Sequence, residues 1–459
     1  MLLRSKIKDE PGFQYVVENL DCMSAAARRL LMDQPWIQDI QELEHQMDLI
    51  AQGVALLQNQ DNNKPILTIR HKFMELHDIS STLQSLSGGL LLNEIELFEV
   101  KQLARLYREA SQAAEAIGWD QLPYSQSIEQ TFEILDPDHT GMANFYLYDS
   151  YDERLAPIRK QLKLTPDDAN LFSQHEAIQQ EIMVRLSQKL YPLADALVAA
   201  LNKMAKADLL LAKAQQAIDW SLCRPTVNIE SSSTRSYSQL FNPRLRHHNE
   251  SHQLRYQPVD VDLHPGVCLI TGANMAGKTV FLKTLGIAQL MFQFGFFVPA
   301  SSAQMTLVED VVFCIGDQQN EMNGLSSFAS EIIKISHTLE RAETEHLLIL
   351  IDEPARTTNP IEGKAIVQSI SNILDRQTHC TTLITTHYSQ LNLPCRRLRV
   401  KGFVESLSQV ALTPENINQF MDYSLLPDNS DEVPHEALRI AQILGCHEEM
   451  ISQAKELLQ

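Results

Sequence analysis

The chain has 459 residues with a formal net charge of −20, and 44% of its residues are hydrophobic and 21% charged. This composition is typical of a globular protein of roughly two or three domains, and its acidic balance disfavours broad adhesion to phosphate backbones, which depends on clustered lysine and arginine. The sequence has no apolar stretch of the roughly 20 residues that a membrane span needs, and it shows no export signal. Its seven cysteines are scattered, which favours a reducing compartment. We therefore expect a cytoplasmic protein with no membrane partner.

The first half of the chain has a helical pattern, with apolar residues at three- and four-residue spacing. Helices are predicted over 21–31, 35–58, 72–84, 90–117 and 125–134, with one short strand at 145–148. Thr165 and Pro166 predict another helix start, and that helix is expected to break at Tyr191 and Pro192 and to resume to about Trp220. We therefore expect a helical hairpin over 166–220.

The composition changes near Arg224 and the serine run at 231–233, which predicts a domain boundary there. Short apolar runs then alternate with helical patterns, at 267–270, 347–351, 381–384 and 398–404. Such alternation is typical of a parallel sheet with helices on both faces. The sequence thus predicts an all-helical domain over 1–225 and an α/β domain of the P-loop NTPase class over 226–459, ending in two small helices over 434–458.

A segment with the spacing of a P-loop follows the first apolar run: Gly272-Ala273-Asn274-Met275-Ala276-Gly277-Lys278-Thr279. The backbone N–H groups of such a loop can point at phosphate oxygens, and the N-terminus of the next helix adds partial positive charge. Lys278 would neutralise the phosphates, and the Thr279 hydroxyl would bind Mg²⁺. The alternative is a glycine-containing turn that binds nothing.

Two acids, Asp352 and Glu353, end the second apolar run, and α/β sheets present their ligands at this end of their strands. Asp352 would hold Mg²⁺ or its water, and Glu353 would deprotonate the water that attacks the γ-phosphate. His387 follows the third run and could hydrogen-bond the γ-phosphate, although a histidine at such a position is more often structural when considered alone. These residues predict an ATP hydrolase that uses ATP and Mg²⁺.

The combination of these motifs resembles the MutS family of ATPases. The matching segments occur in the order and spacing of that family: the P-loop, 295–300, 324–331, 352–353 and 386–388. The resemblance implies that Tyr256 stacks on adenine and that Asn274 contacts the nucleotide. It also implies that Ser326 reaches the γ-phosphate held by a partner subunit. The implied assembly is a homodimer with two composite ATP sites, with 434–458 as its dimerisation element.

The sequence departs from the family pattern at several places near the site. Within the P-loop, Ala276 replaces a usual glycine and Ala273 a usual proline, and both changes are tolerable. Leu325 replaces the usual basic residue of the loop that carries Ser326, and 354–357 replace Ile-Gly-Arg-Gly after Glu353. Residues 135–138 and 206–214 resemble the branch of the family without mismatch-reading domains. Accordingly, we expect no mismatch reader before Phe13 and no DNA-gripping clamp within the predicted hairpin.

Two partners stay open at this stage, and in both cases ATP hydrolysis would drive a conformational switch. The family resemblance favours DNA, structured or branched rather than mismatch-specific, because mismatch recognition needs a wedge and base-edge contacts. The acidic charge and the missing clamp favour a protein client that the ATPase would remodel or reactivate. The resemblance adds a precedent for such a client, because some short MutS-like proteins are associated with the reactivation of cobalamin-dependent aminomutases. Two basic clusters could contact nucleic acid but are more often solvated faces: Arg244, Arg246, His247, His248 and Arg255, and Arg396, Arg397, Arg399 and Lys401.

Overall fold

The structure is a computed structural model that describes residues 1–8, 10–141, 146–229, 234–272, 277–316, 327–388, 391, 393–403, 420–428, 438, 441 and 445–457. The α-helices of this part are α1 Leu3–Lys6, α2 Pro11–Glu18, α3 Ala25–Met32, α4 Ile40–Gln58, α5 Asn63–Met74, α6 Ser80–Ser87, α7 Glu94–Glu115, α8 Gln126–Leu135, α9 Leu155–Leu164, α10 Ala169–Leu190, α11 Ala194–Asp219, α12 Pro243–Ser251, α13 Lys278–Gln293, α14 Ser327–Ala342, α15 Pro360–Asp375 and α16 Glu448–Glu456. The strands are β1 Thr226–Val227, β2 Arg235–Leu240, β3 Val259–Leu263, β4 Gly266–Thr271, β5 Ser302–Met305, β6 Asp310–Cys314, β7 Leu347–Ile351, β8 Thr381–Thr385, β9 Arg396–Phe403 and β10 Met421–Pro427.

The chain divides into two compact units. The α/β unit comprises Met1–Leu20, Pro35–Leu49 and Gln216–Gln459, and the helical unit comprises Asp21–Gln34 and Ile50–Gln215. The predicted boundary near residue 225 differs from this division, because the first helices pack with the sheet-containing half. Phe13 stacks on Phe294 with ring centroids 5.7 Å apart, and the Trp36 indole donates to the Val308 carbonyl at 3.0 Å. Helical periodicity marks an apolar face but does not say which partner will cover it.

The helical unit contains a buried carboxylate that is fully satisfied. Asp208 of α11 accepts hydrogen bonds from the backbone N–H groups of Met23 and Ser24, at 3.1 and 2.7 Å, and from the Ser24 hydroxyl at 2.7 Å. Burial raises the pKa of Asp208, and these donors oppose the rise. The carboxylate thereby joins α11 to the N-terminus of α3, which Ser24 caps.

The predicted hairpin over 166–220 is wrong. Leu190, Tyr191 and Ala194 all have right-handed helical backbone angles, and a 3₁₀ turn at Tyr191–Leu193 joins α10 to α11. The chain therefore continues helically where a reversal was expected. Proline is tolerated there because the first turn of a helix has no use for its N–H group. A turn lies earlier, between α9 and α10, and Asp168 rather than Thr165 caps α10.

Other predicted elements of the first half differ in detail. The predicted helix over 72–84 is interrupted, because α5 ends at Met74 and α6 begins at Ser80. Helix α4 begins at Ile40 instead of Pro35, which pairs with Leu2 in an isolated bridge. Residues 146–148 are not in a strand, and position 145 lies outside the described residues. Local pattern did not locate these breaks because the surrounding polar residues suit helix and turn alike.

The α/β unit is built on a six-stranded sheet in the order β10-β9-β4-β8-β7-β6. Strands β9, β4, β8, β7 and β6 run parallel, whereas β10 pairs antiparallel with β9, so the sheet is mixed rather than purely parallel. The predicted runs at 267–270, 347–351 and 381–384 lie in β4, β7 and β8, and 398–403 lie in β9. Strands β4, β7 and β8 are buried at nearly every position, so both of their faces are covered, and β4 and β7 accordingly have continuous apolar sequences.

Helices lie on both faces of this sheet. Gly286 of α13 lies against Leu350 of β7 and the Phe313 ring, whereas Ile349 belongs to a core cluster with Val367 of α15. Since successive side chains of a strand point to opposite faces, α13 and α15 cover different faces. A second sheet, in the order β1-β5-β2-β3, was not predicted. None of the helices in the described part of the chain combines the length and hydropathy that a membrane crossing requires.

Candidate nucleotide-binding site

Three neighbouring strands of the six-stranded sheet end at the candidate site. Strand β4 leads to Gly272, β8 leads to Thr386, and β7 leads to Asp352. The register pairs Ile270 with Thr385 and Ile351 with Ile384, so these strand ends lie side by side. The parallel arrangement therefore brings together residues that are far apart in sequence.

The P-loop segment is described at its two ends. Gly272 and Gly277 have φ angles of 135° and 77°, which a residue with a Cβ rarely adopts. Gly277 is the N-cap of α13 and supplies no capping side chain, and the N–H groups of a first helical turn are suited to binding an anion. Ala273, Asn274, Met275 and Ala276 lie outside the described residues.

Lys278 is the buried cation of the site. Its side chain is 5% exposed, and its Nζ atom donates to the Gly272 carbonyl at 2.6 Å. The same atom lies 3.5 Å from Oε1 of Glu353. The neighbouring carboxylate stabilises the buried ammonium group of the lysine. A phosphate group would offer Nζ further hydrogen-bond acceptors.

A chain of hydroxyl and carboxylate groups crosses the three strand ends. The Thr279 hydroxyl donates to Oδ2 of Asp352 at 2.7 Å, and the Thr385 hydroxyl donates to Oδ1 of Asp352 at 2.6 Å. The backbone N–H of Glu353 donates to the Thr385 hydroxyl oxygen at 2.8 Å. The sequence predicted site roles for Thr279, Asp352 and Glu353 but not for Thr385. The one feature of the sequence that could have indicated Thr385 is that a polar residue ends a buried strand.

Glu353 begins a strained turn after β7. It has a φ of 44°, and Ala355 has a φ of 59°, both in the left-handed region. The Glu353 carboxylate is 12% exposed and lies between Lys278 and Arg356, whose Nη1 atom is 3.4 Å from Oε2. The Tyr388 hydroxyl donates to the Ala355 carbonyl at 2.9 Å and so holds the same turn.

His387 is exposed at the edge of the site, with its ring 4.2 Å from that of Tyr388. Partial burial lowers the pKa of His387, the Glu353 carboxylate opposes this, and Lys278 and Arg356 lower the pKa further. The charged groups of the site therefore act on the pKa of this imidazole. A neutral imidazole can donate one hydrogen bond.

Tyr256 is half-buried beside α13. Its hydroxyl accepts from the Asn242 backbone N–H at 2.7 Å, and the Asn242 side chain donates to Thr284 of α13 at 3.3 Å. Burial raises the pKa of Tyr256 to about 12. These contacts fix the ring next to the helix that follows the P-loop. Ser326 lies outside the described residues, since the described part of α14 begins at Ser327.

Comparison with known proteins gives a family for this arrangement. The family model described as MutS domain V matches residues 268–459. An "Endonuclease MutS2" of Caldanaerobacter subterraneus subsp. tengcongensis is 34% identical over 287 residues, which cover 61% of this chain and 33% of that protein. A "DNA mismatch repair protein MutS" of Thermus thermophilus is 28% identical over 288 residues, which cover 61% of this chain and 32% of that protein.

The matched part of the chain, residues 268–459, belongs to the MutS family. The aligned part spans about a third of the length of these MutS relatives. The match to domain V begins inside β4 and therefore includes the three strand ends described above. The predicted resemblance to this family is confirmed.

The described side chains of this MutS-family site fit a nucleotide with Mg²⁺. Thr279 and Asp352 offer hard oxygen atoms, which Mg²⁺ prefers. Within the described ranges, no group of three or more His, Cys, Asp or Glu residues could hold a metal ion by itself. A Mg²⁺ ion here would thus depend on phosphate oxygens and water for its other ligands, as is usual at nucleotide sites.

The C-terminal element is described only in part. Gly445 has a φ of 71°, and the Cys446 N–H donates to the Ala441 carbonyl at 3.0 Å, a combination typical of a helix end. Helix α16 follows, over Glu448–Glu456. The break predicted at 445–447 is therefore present, while the role of 434–458 in dimerisation stays a prediction.

Proposed function

We propose that this MutS-family chain binds ATP with Mg²⁺ and hydrolyses it. The proposal rests on two contacts between the start of α13 and the end of β7: Lys278 lies 3.5 Å from Glu353, and Thr279 lies 2.7 Å from Asp352. Bound ATP with Mg²⁺ would supply the phosphoanhydride bond to be cleaved and a divalent charge beside it. The domain V match supports an ATPase but leaves each residue's role as a proposal.

The geometry suggests a separate task for each side chain. Lys278, now donating to the Gly272 carbonyl, would bind the terminal phosphates. Thr279 and Asp352 would hold Mg²⁺ through their facing oxygen atoms. Glu353 would accept a proton from the attacking water, and the nearby cations keep its carboxylate oriented towards the site.

Two further side chains would recognise the nucleotide. His387, which follows β8 beside the Tyr388 ring, would donate a hydrogen bond to the terminal phosphate. Tyr256, held by Asn242, would stack on the adenine ring. We keep Ala273, Asn274, Met275 and Ala276 as further nucleotide contacts through their backbone, and Asn274 also through its side chain.

We further propose that two copies of the chain assemble into a homodimer. Ser326 of each copy would reach the γ-phosphate held by the other, and 434–458 would contribute to the contact. Hydrolysis in such composite sites would change the arrangement of the helical unit, because a ligand shifts a conformational equilibrium by its difference in affinity for the two states. Turnover by an all-Ser326→Ala dimer equal to that of the unaltered protein would contradict the composite site.

ATP binding and turnover by Lys278→Ala test the proposed chemistry. We expect this variant to lose nucleotide binding, since the site's buried positive charge is removed. Lys283→Ala, on the same helix and outside the site, is the matched control and should bind ATP normally. Normal ATP affinity in Lys278→Ala, with the far-ultraviolet circular dichroism of the unaltered protein, would overturn the proposal.

We propose DNA as the partner, structured or branched rather than mismatch-specific. The printed names of the relatives, an endonuclease and a DNA mismatch repair protein, support nucleic acid, and no comparison supports a protein client. Several cations of the two basic clusters are engaged internally: Arg246 with Glu250, Lys401 with Asp422, and Arg396 with the Asp262 carbonyl. Few phosphate contacts are then available, so we expect a shallow salt dependence.

The partner is tested by measuring DNA affinity against salt concentration, with ATP present, on duplex, branched and single-stranded DNA. Binding that weakens as salt rises, and that is tighter for branched than for plain duplex DNA, is the expected result. Absence of binding to every one of these DNAs at low salt would remove DNA as the partner. The protein-client alternative would then be the remaining candidate from the sequence.

A further inference from the structure

Thr385 contacts both acidic residues of the site, Asp352 and Glu353. It is the last residue of β8 and is completely buried. Its hydroxyl donates to Oδ1 of Asp352 at 2.6 Å and accepts the Glu353 backbone N–H at 2.8 Å. One hydroxyl therefore contacts both of the residues that directly follow β7, the neighbouring strand.

The direction of these two hydrogen bonds is fixed by chemistry. A hydroxyl group has one proton and can accept two hydrogen bonds, and a backbone N–H can only donate. Since Glu353 supplies its N–H to the Thr385 oxygen, the hydroxyl proton is left for the carboxylate oxygen of Asp352. The β-branched side chain of threonine is stiff at χ1, so this arrangement is held with little rotamer freedom.

The first consequence concerns Asp352. Because Oδ1 is engaged by Thr385, Oδ2 is turned towards Thr279, whose hydroxyl lies 2.7 Å from it. That is the pair of oxygen atoms that would hold Mg²⁺. Without the Thr385 hydroxyl, the carboxylate could rotate away from Thr279 or accept water at Oδ1.

The second consequence concerns Glu353. Its φ of 44° is unfavourable for a residue with a side chain, and such conformations persist where surrounding contacts impose them. The hydrogen bond from its N–H to Thr385 is one of those contacts, and it fixes the position of the Glu353 backbone from which the side chain extends. The distance of 3.5 Å between Oε1 of Glu353 and Nζ of Lys278 depends on that backbone position.

We propose that Thr385 is a positioning residue that orients Asp352 towards the magnesium site and Glu353 towards the attacking water. This inference rests on the proposed ATPase function and extends it to a residue that would touch neither nucleotide nor metal. It predicts a defect in Mg²⁺-dependent steps, with nucleotide binding in the absence of Mg²⁺ left intact.

The test uses three variants of the full chain. Thr385→Val keeps the shape and removes the hydroxyl, whereas Thr385→Ser keeps the hydroxyl. Thr382→Val is the matched control, because Thr382 lies on the same strand, is also completely buried, and has a hydroxyl without a hydrogen-bond partner among the described residues. Binding of a fluorescent ATP analogue is measured with and without Mg²⁺, and turnover is measured against Mg²⁺ concentration.

For Thr385→Val we expect Mg²⁺-dependent affinity and turnover to fall on the order of 10- to 100-fold, as is usual when a group supporting a metal ligand is lost. Binding without Mg²⁺ should be unchanged, Thr385→Ser should recover most of the loss, and Thr382→Val should match the unaltered protein. The inference is overturned if Thr385→Val matches Thr382→Val, or if Thr385→Ser is as defective as Thr385→Val. Failure of the unaltered protein to bind ATP with Mg²⁺ would instead overturn the proposed function.

Discussion

Thr279 and Asp352 are 73 positions apart in the sequence, yet the hydroxyl of the first lies 2.7 Å from the carboxylate of the second. The contact joins the first turn of α13 to the end of β7 across the strand that separates β4 from β7. It exists because parallel strands present their carboxyl ends at one edge of the sheet. Hydroxyl and carboxylate together form an oxygen pair suited to Mg²⁺.

Replacing Thr279 by valine should therefore weaken the use of Mg²⁺. The hydroxyl oxygen is lost while the volume is kept, so we expect the Mg²⁺ concentration for half-maximal turnover to rise on the order of tenfold or more. Thr279→Ser, which keeps the oxygen, should remain close to the unaltered protein. The test is to measure the turnover rate of each protein against Mg²⁺ concentration. Identical curves for Thr279→Val and the unaltered protein would contradict the proposal that Thr279 binds Mg²⁺.

Replacing Glu353 by glutamine should separate binding from turnover. Glutamine keeps the shape but cannot accept the proton, so kcat should fall on the order of 10²- to 10⁴-fold. ATP binding should persist, because Lys278 and the helix N-terminus are unchanged. Pre-steady-state phosphate release and equilibrium binding measure the two effects. Glu340→Gln is the matched control, since this side chain of α14 is 73% exposed and belongs to no part of the proposed site, so its turnover should equal that of the unaltered protein.

The protein should lose stability in mild acid through His346. Burial, Arg235 and His379 lower the pKa of His346 from 6.5 to about 4, and its Nε2 lies 3.4 Å from the buried Arg235 guanidinium. Above pH 6.5 the imidazole is neutral in both states and has no effect. Below that pH the unfolded chain takes up the proton more readily, so stability falls as pH decreases towards about 4.

His346→Gln removes this titration but leaves an acceptor for Arg235. Between pH 7.5 and 5 we expect its loss of unfolding free energy to be about 1–2 kcal/mol smaller than that of the unaltered protein. Urea unfolding at the two pH values measures the difference. His337→Gln, at a side chain that is 73% exposed, should leave the pH dependence as it was. Equal pH dependence in all three proteins would contradict the assignment.

The strands that carry the acids could be predicted because their physical signature is local. Strand β7 is buried at every position, so its sequence is a continuous apolar run, and Asp352 ends it abruptly. Strand β2 gives no such signal, since it contains Arg235, which is buried through contacts with Thr381 and His346 from elsewhere in the chain. Strand β2 is stabilised by pairing with β3 and β5, and the sequence of β2 alone carries no information about these partners.

Connections between helices were harder to predict for a similar reason. Pro192 suggested a reversal, but a proline in a first turn is compatible with continued helix, and only the neighbours of α10 decide between the two. Thr385 was overlooked because a buried threonine at a strand end has no distinctive spacing. Its importance appears only when Asp352 and Glu353 are seen beside it.

The close approach of α13 to the sheet leads to a final prediction, at Gly286. A Cβ atom there would overlap the Phe313 ring and lie 3.0 Å from Cδ1 of Leu350. Alanine would add about 1 kcal/mol of helix propensity, but overpacking of a core costs typically about 1–3 kcal/mol, so we expect Gly286→Ala to lower the unfolding free energy on the order of 1 kcal/mol. Because Lys278 begins the same helix, ATP affinity should fall as well.

Denaturant unfolding and ATP binding test this prediction with two comparisons. Gly316→Ala, where an added Cβ would meet none of the described residues within 4 Å, should change neither quantity. Phe313→Leu should reduce the clash, so the double variant Gly286→Ala with Phe313→Leu should be more stable than the sum of the two single effects predicts. Strict additivity would mean that Phe313 does not limit the approach of α13, and that the glycine is tolerated there rather than required.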